Sequence, residues 1–81
     1  MANPALVDKF KQGAAVTLEV DVSRLTRDTH LKQDLNISST KRFMIMADIE
    51  ELFDVKANYG QVNKCATFGD VLDLVDSLTT N

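Results

Sequence analysis

Only one stretch of this sequence alternates apolar and polar residues in the manner of a β-strand. The alternation runs through Val16, Leu18, Val20 and Val22, and no second alternating segment exists with which it could pair. A lone strand leaves its backbone N–H and C=O groups without partners, and even a two-stranded hairpin is marginal in water. We therefore predict an all-α fold in which this stretch is divided between a helix and a loop.

The first helix is predicted from its capping residues and from apolar residues spaced four apart. Asn3 is a preferred N-cap residue, and Pro4 suits the first helical position. Apolar residues then recur on one face: Leu6, Phe10 and Ala14. These signals predict a helix from Pro4 to Leu18.

A long loop is predicted to follow, from Val20 to about Asn36. It carries three residues that we expect to anchor it on the core: Leu25, Leu31 and Leu35. Unstructured connections of more than about 12–15 residues are uncommon in compact domains and are often functional. The length of this loop therefore marks it as a candidate functional segment.

The second helix has the clearest signal in the chain. Ser38 and Ser39 are preferred N-cap residues, because a serine hydroxyl accepts a hydrogen bond from a free N–H group one turn on. The apolar residues that follow are expected to share one face: Phe43, Met46, Ile49, Leu52 and Phe53, with Met44 and Ile45 widening it. We predict a helix that begins at Ser38 or Ser39 and ends at Phe53.

Two further helices are predicted beyond the second. Tyr59-Gly60 interrupts the pattern, and Gln61 to Cys65 is predicted to form one short helical turn. Thr67 and Asp70 match a capping box. The apolar residues after it predict a final helix to about Leu78: Val71, Leu72, Val75 and Leu78. The chain is thus expected to form one domain, residues 1–81, with three main helices and one short helix.

The size of the chain disfavours an enzyme. A domain of 81 residues buries only about 60% of its unfolded surface, so a large internal cavity would be hard to sustain. The only histidine, His30, and the only cysteine, Cys65, have no catalytic or metal-binding motif around them. We interpret His30 as a surface loop residue and Cys65 as a small buried residue of the short helix. We predict a protein that is not an enzyme and holds no metal.

The charge and the apolar content limit the partners and the compartment. A net charge of −3 and a pI near 4.9 disfavour nucleic acid and anionic membranes, because both require clustered Lys and Arg. No apolar run approaches the roughly 18 residues that span a bilayer, and the first six residues lack the pattern of a secretory signal. A single cysteine cannot form an internal disulfide. We expect a cytoplasmic monomer that inserts into no membrane.

Acidic residues form two stripes in which successive members are three residues apart. The second helix carries Asp48, Glu51 and Asp54, with Glu50 beside them, and the last helix carries Asp70, Asp73 and Asp76. The simplest interpretation of each stripe is a solvated helix face. A basic partner could also dock on the stripe of the second helix.

Three segments together resemble the acyl carrier protein family. Residues 34–55, DLNISSTKRFMIMADIEELFDV, are similar to the family pattern Asp-Leu-Gly-x-Asp-Ser-Leu followed by a helix that ends Glu-Glu-x-Phe-Asp-Val. Residues 64–75, KCATFGDVLDLV, resemble its closing stretch, and residues 25–35, LTRDTHLKQDL, resemble its Val-Thr-x-x-x-x-Phe-x-x-Asp-Leu loop. In this register Ser39 lies at the position of the family's modified serine.

The resemblance implies a four-helix bundle that carries 4'-phosphopantetheine, taken from coenzyme A, on Ser39. The arm's thiol would hold a fatty acyl, polyketide, aminoacyl or other group as a thioester. Expected partners are a phosphopantetheinyl transferase and the enzymes that load and process the acyl group. The residues of the second helix expected to contact them are Thr40, Lys41, Arg42, Met44, Asp48 and Glu51.

The chain departs from the family pattern around the serine. Ser38 and Thr40 replace the flanking Asp and Leu, and Lys41 and Met44 stand at positions that are usually acidic. Lys41 and Arg42 lie near the positive end of the helix dipole, which is unfavourable in a plain helix. We expect these two cations to repel enzymes that serve ordinary acyl carriers. The alternative is an unmodified helical adaptor that binds protein partners through the same helix.

Overall fold

A computed structural model describes residues 3–79 of the chain, which form four α-helices and one short 3₁₀ helix. The α-helices are α1 (Pro4–Leu18), α2 (Ser39–Phe53), α3 (Tyr59–Asn63) and α4 (Phe68–Thr79). The 3₁₀ helix, Val22–Arg24, lies between α1 and α2. The predicted all-α bundle, with three main helices and a short one, is confirmed.

Three of the helices begin at the capping residues that the sequence indicated. Asn3 Oδ1 accepts a hydrogen bond from the N–H group of Ala5 at 2.9 Å. Ser38 Oγ accepts a hydrogen bond from the N–H group of Lys41 at 3.2 Å. At the start of α4, the N–H group of Asp70 donates to Thr67 Oγ1 at 3.1 Å, and the N–H group of Thr67 donates to Asp70 Oδ2 at 3.2 Å. Each bond satisfies an N–H group that has no partner within its helix. The predicted bounds of α1 and α2 are confirmed, and α4 ends one residue beyond the predicted end.

The prediction for the short third helix was wrong by two residues. The helix spans Tyr59–Asn63 rather than Gln61 to Cys65. Asn58 Oδ1 accepts from the N–H group of Gln61 at 2.9 Å, and Gln61 Oε1 accepts from the N–H group of Asn58 at 3.1 Å. This capping box outweighs the low helix propensity of the glycine that we expected to break the helix.

The core is built around Phe10 of α1. Its ring lies 6.0 Å, between centroids, from the rings of both Phe53 and Phe68. Buried residues from three helices and two connecting segments surround it: Ala14, Ala15, Leu18, Leu25, Leu31, Ile45, Ile49, Cys65, Val71 and Val75. The expected inward anchors of the first loop are confirmed, since Leu25 and Leu31 are fully buried and Leu35 packs against the same core.

The apolar face of α2 is narrower than predicted. Ile45 and Ile49 are fully buried, whereas Phe43 and Met44 are 50% and 47% exposed. The Phe43 ring stacks on the ring of Tyr59 in α3, with 4.3 Å between centroids and 17° between planes. Phe43 therefore joins α2 to α3 at the surface instead of entering the core.

The long segment between α1 and α2 is tied to the start of α4. The N–H group of Phe68 donates to the carbonyl of Thr29 at 2.8 Å, and the N–H group of Gly69 donates to the carbonyl of Arg27 at 3.0 Å. A Cβ atom at Gly69 would lie 2.7 Å from that carbonyl oxygen, so the contact requires glycine. These bonds hold the middle of the loop against the start of α4.

Candidate functional site

Ser39 is the first residue of α2 and is exposed at the protein surface. The preceding Ser38 has extended backbone angles, and its hydroxyl accepts the capping bond from Lys41 N. The Ser39 hydroxyl has no hydrogen-bond partner among the described residues. The two serines therefore differ in their surroundings, since the Ser38 hydroxyl caps the helix and the Ser39 hydroxyl is exposed.

The chain that leads to Ser39 is held on the core by backbone bonds. Asn36 has a φ of 50°, in the left-handed region that asparagine tolerates better than most residues. The next residue, Ile37, donates its N–H group to the carbonyl of Leu31 at 3.2 Å. Because Leu31 is fully buried, these contacts fix the position of the serine relative to the bundle.

A cavity of about 360 Å³ opens beside the serine. It lies between the end of the first loop, the first turn of α2 and the helix α3, and it is lined by Lys32, Ile37, Ser39, Arg42, Tyr59 and Asn63. Most of this lining is polar, and two of the six side chains are cationic. The cavity therefore suits a polar or anionic group better than an apolar chain.

Lys41 is bound to the end of α1. Its Nζ donates to the carbonyl of Thr17 at 2.8 Å and to Glu19 Oε2 at 3.2 Å. The end of a helix carries partial negative charge, so a cation is favourable there. The charge that is unfavourable at the start of α2 is thus offset by a favourable position at the end of α1.

Arg42 makes the equivalent contact with the end of α3. Its Nη1 donates to the carbonyls of Val62 and Cys65, both at 3.0 Å. The Val62 carbonyl also accepts from the N–H group of Cys65 at 3.0 Å, so the guanidinium adds a charged donor at the end of α3 and joins α2 to α3. The sequence placed Lys41 and Arg42 on a docking surface, and the structure gives both side chains partners within the bundle.

The carboxylates of α2 do not all face the same way. Asp48 Oδ2 accepts from Thr17 Oγ1 of α1 at 3.2 Å, and Glu50 Oε2 accepts from a backbone N–H group in the loop after α2 at 3.1 Å. Glu51 and Asp54 are exposed. Of the acidic stripe proposed for docking, two members thus lie open to solvent and Asp48 is turned toward α1.

One exposed face of α2 begins next to Ser39. Its members follow the helical repeat and are all exposed: Thr40, Met44, Ala47 and Glu51. We call these four residues the docking face. It contains three of the six residues that the sequence indicated for partner contacts.

Burial raises the pKa of the Asp48 carboxyl above its ordinary value, the bond from Thr17 lowers it, and the charge of Glu51 raises it. A carboxyl whose pKa is raised by folding is stabilised in its protonated form, so the folded state loses stability as the pH rises through that pKa. Asp48→Asn is therefore expected to increase the free energy of unfolding modestly at pH 7. At a pH below both the folded and the unfolded pKa, the two proteins are expected to differ less, as urea unfolding at both pH values would show. Equal differences at the two pH values would contradict this expectation.

Cys65 and His30 border the same cavity, of about 280 Å³, although the sequence offered no reason to pair them. His30 is an exposed loop residue and Cys65 is buried, as predicted, but Cys65 lies after α3 rather than within it. Burial raises the pKa of the Cys65 thiol, and the charge of Asp70 raises it further. A thiol held in its protonated form is a poor nucleophile.

Within residues 3–79, no group of three or more His, Cys, Asp or Glu side chains could hold a metal ion. No helix in the same range is both long and apolar enough to cross a bilayer.

Comparisons with known proteins agree on one family. The chain is 32% identical over 72 residues to an acyl carrier protein from an Exiguobacterium strain, and the aligned region covers 89% of this chain and 90% of the relative. It is 28% identical over 74 residues to an acyl carrier protein of Onion yellows phytoplasma (91% of this chain, 93% of the relative). It is 27% identical over 75 residues to one of Borreliella burgdorferi (93% and 94%). No family model matches the chain.

Proposed function

Because the chain belongs to the acyl carrier protein family, we propose that it carries an acyl group as a thioester on a 4'-phosphopantetheine arm attached to Ser39. The relatives are named acyl carrier proteins, which supports a carrier role for this chain. The observation that carries the proposal is the exposed hydroxyl of Ser39 at the head of α2, which bonds to no residue in the described part of the chain. When bound, the arm supplies the thiol that forms the thioester.

The residues around Ser39 fit a phosphodiester. The cavity beside the serine offers donors from Lys32, Arg42 and Asn63, and anions are favoured at the start of a helix. The arm needs no enclosed pocket in this chain. Its attachment requires only an accessible hydroxyl and room for the phosphate.

Attachment would be catalysed by a transferase and not by this chain. In that reaction Ser39 Oγ forms a bond to the phosphorus that bears the pantetheine group in coenzyme A. The P–O bond to the second phosphate breaks, and 3',5'-adenosine diphosphate leaves. The proton of the serine hydroxyl passes to a base of the transferase.

We place the partner contacts on the docking face. Thr40, Met44 and Glu51 follow Ser39 along one exposed face of α2, so a transferase or an acyl-processing enzyme that reaches the serine and covers this face would meet them. The selective roles predicted for Lys41, Arg42 and Asp48 stay predictions. Their side chains are engaged with α1 and α3, which leaves less of each charge for a partner.

The proposed function is tested by incubating the wild-type protein with a broad-specificity transferase and coenzyme A. Intact mass is expected to increase by one phosphopantetheine group, and tandem mass spectrometry is expected to locate the group on Ser39. A chain that gains no mass with several transferases would contradict the proposal. The unmodified adaptor would then be the better description.

A charge change on the docking face is expected to alter modification by a transferase that serves ordinary acyl carriers. Met44 is 47% exposed, and Met44→Glu restores an acidic residue where the family pattern has one. Initial rates are expected to rise about threefold at low ionic strength, as for one exposed charge pair, and the gain is expected to shrink with added salt.

Ser77→Glu is the matched control for this experiment, because it adds the same charge at an exposed position of α4. Thr40→Leu tests an apolar contact at the same face, and any gain from it is expected to be nearly independent of salt. Equal rates for wild type and Met44→Glu at low salt would show that this position does not select the partner.

A further inference from the structure

Two cavities beside the start of α2 share a wall made by Lys32, Arg42 and Asn63. The first, of about 360 Å³, is bordered by Ser39, and the second, of about 280 Å³, extends past the end of α3 to Lys64 and His30. We call the two cavities together the cationic groove. Its lining contains three cationic side chains and a histidine, and none of the twelve acidic residues of the chain.

The carboxylates near the groove are engaged by backbone groups. Asp34 Oδ2 accepts from the N–H group of His30 at 2.8 Å, and Asp70 Oδ2 accepts from the N–H groups of Ala66 and Thr67 at 3.0 and 3.2 Å. These bonds hold both carboxylates outside the lining. The lining of the groove is therefore cationic, with Asp34 and Asp70 at its border, on a protein whose net charge is −3.

The two cations that share a cavity with Ser39 are prepared for an anion in different ways. The guanidinium of Arg42 is fixed by its two bonds from Nη1 to backbone carbonyls, and it makes no other hydrogen bond with a described residue. Lys32 is exposed, and its side chain forms no ion pair within residues 3–79. A fixed planar donor beside an exposed ammonium group is suited to a phosphate oxygen.

We propose that the cationic groove binds the phosphodiester of the arm on Ser39, with Lys32 as its ion-pair partner and Arg42 as a fixed hydrogen-bond donor. The inference rests on the proposed function, because the phosphate reaches the groove through its bond to the serine. Attachment confines the anion to the cavity that both cations border, so even a weak contact is populated. The first part of the arm then lies along the groove at low salt, and added salt releases it.

The test compares Lys32→Gln with Lys56→Gln, which removes the same charge from an exposed lysine outside the groove. Each protein is first shown by intact mass to carry the arm, and the melting temperatures of modified and unmodified forms are then compared. In the wild type, modification is expected to raise the melting temperature by about 2–4 °C at low salt and by less at about 0.5 M salt. Lys32→Gln is expected to lose most of this gain, and Lys56→Gln is expected to keep it.

Phosphorus NMR gives a second readout that does not depend on stability. The chemical shift of the phosphodiester is expected to differ between wild type and Lys32→Gln and to be the same in wild type and Lys56→Gln. If all three proteins carry the arm with equal thermal gains and equal shifts, the groove does not bind the phosphate, and the proposed function stands. If the wild type acquires no arm, the proposed function and this inference both fail.

Inorganic phosphate distinguishes a tethered anion from a free one. Unmodified protein titrated with millimolar phosphate is expected to show little change in the backbone amide signals of Lys32 and Arg42, whereas attachment of the arm is expected to shift both. Equal shifts in the two experiments would identify a general phosphate site and would overturn the assignment to the arm.

Discussion

Replacing Ser39 by alanine is expected to abolish the addition of phosphopantetheine, whereas Ser38→Ala is expected to leave it intact. The two hydroxyls are adjacent, but within residues 3–79 only that of Ser38 is engaged, through the 3.2 Å bond that caps α2. A transferase needs a hydroxyl that can approach the phosphorus of coenzyme A, and the exposed Ser39 supplies it. Intact mass after incubation with transferase and coenzyme A gives the answer for each variant.

The expected effects on stability are the reverse, because Ser38→Ala should destabilise the fold more than Ser39→Ala. Ser38→Ala removes an N-cap and is expected to lower the free energy of unfolding by about 1 kcal/mol. Ser39→Ala, at an exposed position with no hydrogen bond to a described residue, is expected to change it by less than about 0.5 kcal/mol. Loss of the adduct in Ser38→Ala with retention in Ser39→Ala would move the attachment site by one residue.

The starts of three helices were readable from the sequence because their determinants are local. An N-cap bond joins residues two or three apart, so Asn3, Ser38 and the Thr67-Asp70 pair could be recognised without knowledge of the fold. The same kind of signal was present at Asn58 and Gln61. It was overlooked because the glycine between them suggested a break.

The ordered conformation of the first loop could not be predicted, because the residues that its backbone contacts are distant in sequence. Thr29 accepts from Phe68, and Leu31 donates to Ala66, and nothing near these residues indicates their partners. The three leucine anchors could be predicted, because burial follows from apolar character alone. The short 3₁₀ helix had a local signal in Asp21, whose carboxylate accepts from the N–H group of Ser23.

The position of the candidate site stays a prediction, and the contacts of its side chains could not be predicted from the sequence. The register with the family indicated Ser39, and the helical repeat indicated which residues of α2 share a face. The sequence could not show that the long side chains of Lys41 and Arg42 reach carbonyls in α1 and α3. Charge near a helix start was therefore interpreted as a contribution to the outer surface, when much of it stabilises the packing of α2 on its neighbours.

Arg42→Met is expected to be the most destabilising of the surface substitutions considered. The helix α3 has five residues, too few to be stable without tertiary contacts. Loss of the guanidinium leaves the partly buried carbonyls of Val62 and Cys65 without their charged donor, and hydrogen bonds to charged groups contribute about 1.5–3 kcal/mol when buried. Allowing for partial exposure, we expect a loss of about 2 kcal/mol and a fall in melting temperature of roughly 10 °C.

Lys41→Met is the matched comparison, because it removes a neighbouring cation that also bonds to a helix end. Its ion pair with Glu19 is exposed on the glutamate side, at 82%, so we expect a smaller loss of about 0.5–1 kcal/mol. Hydrogen exchange locates each effect: Arg42→Met is expected to expose the amides of Val62 to Cys65, and Lys41→Met those at the end of α1. Equal losses of stability, or unchanged exchange in α3, would show that Arg42 does not hold α3 in place. The groove beside Ser39 would then owe its shape to other contacts between these helices, such as the stack of Phe43 on Tyr59.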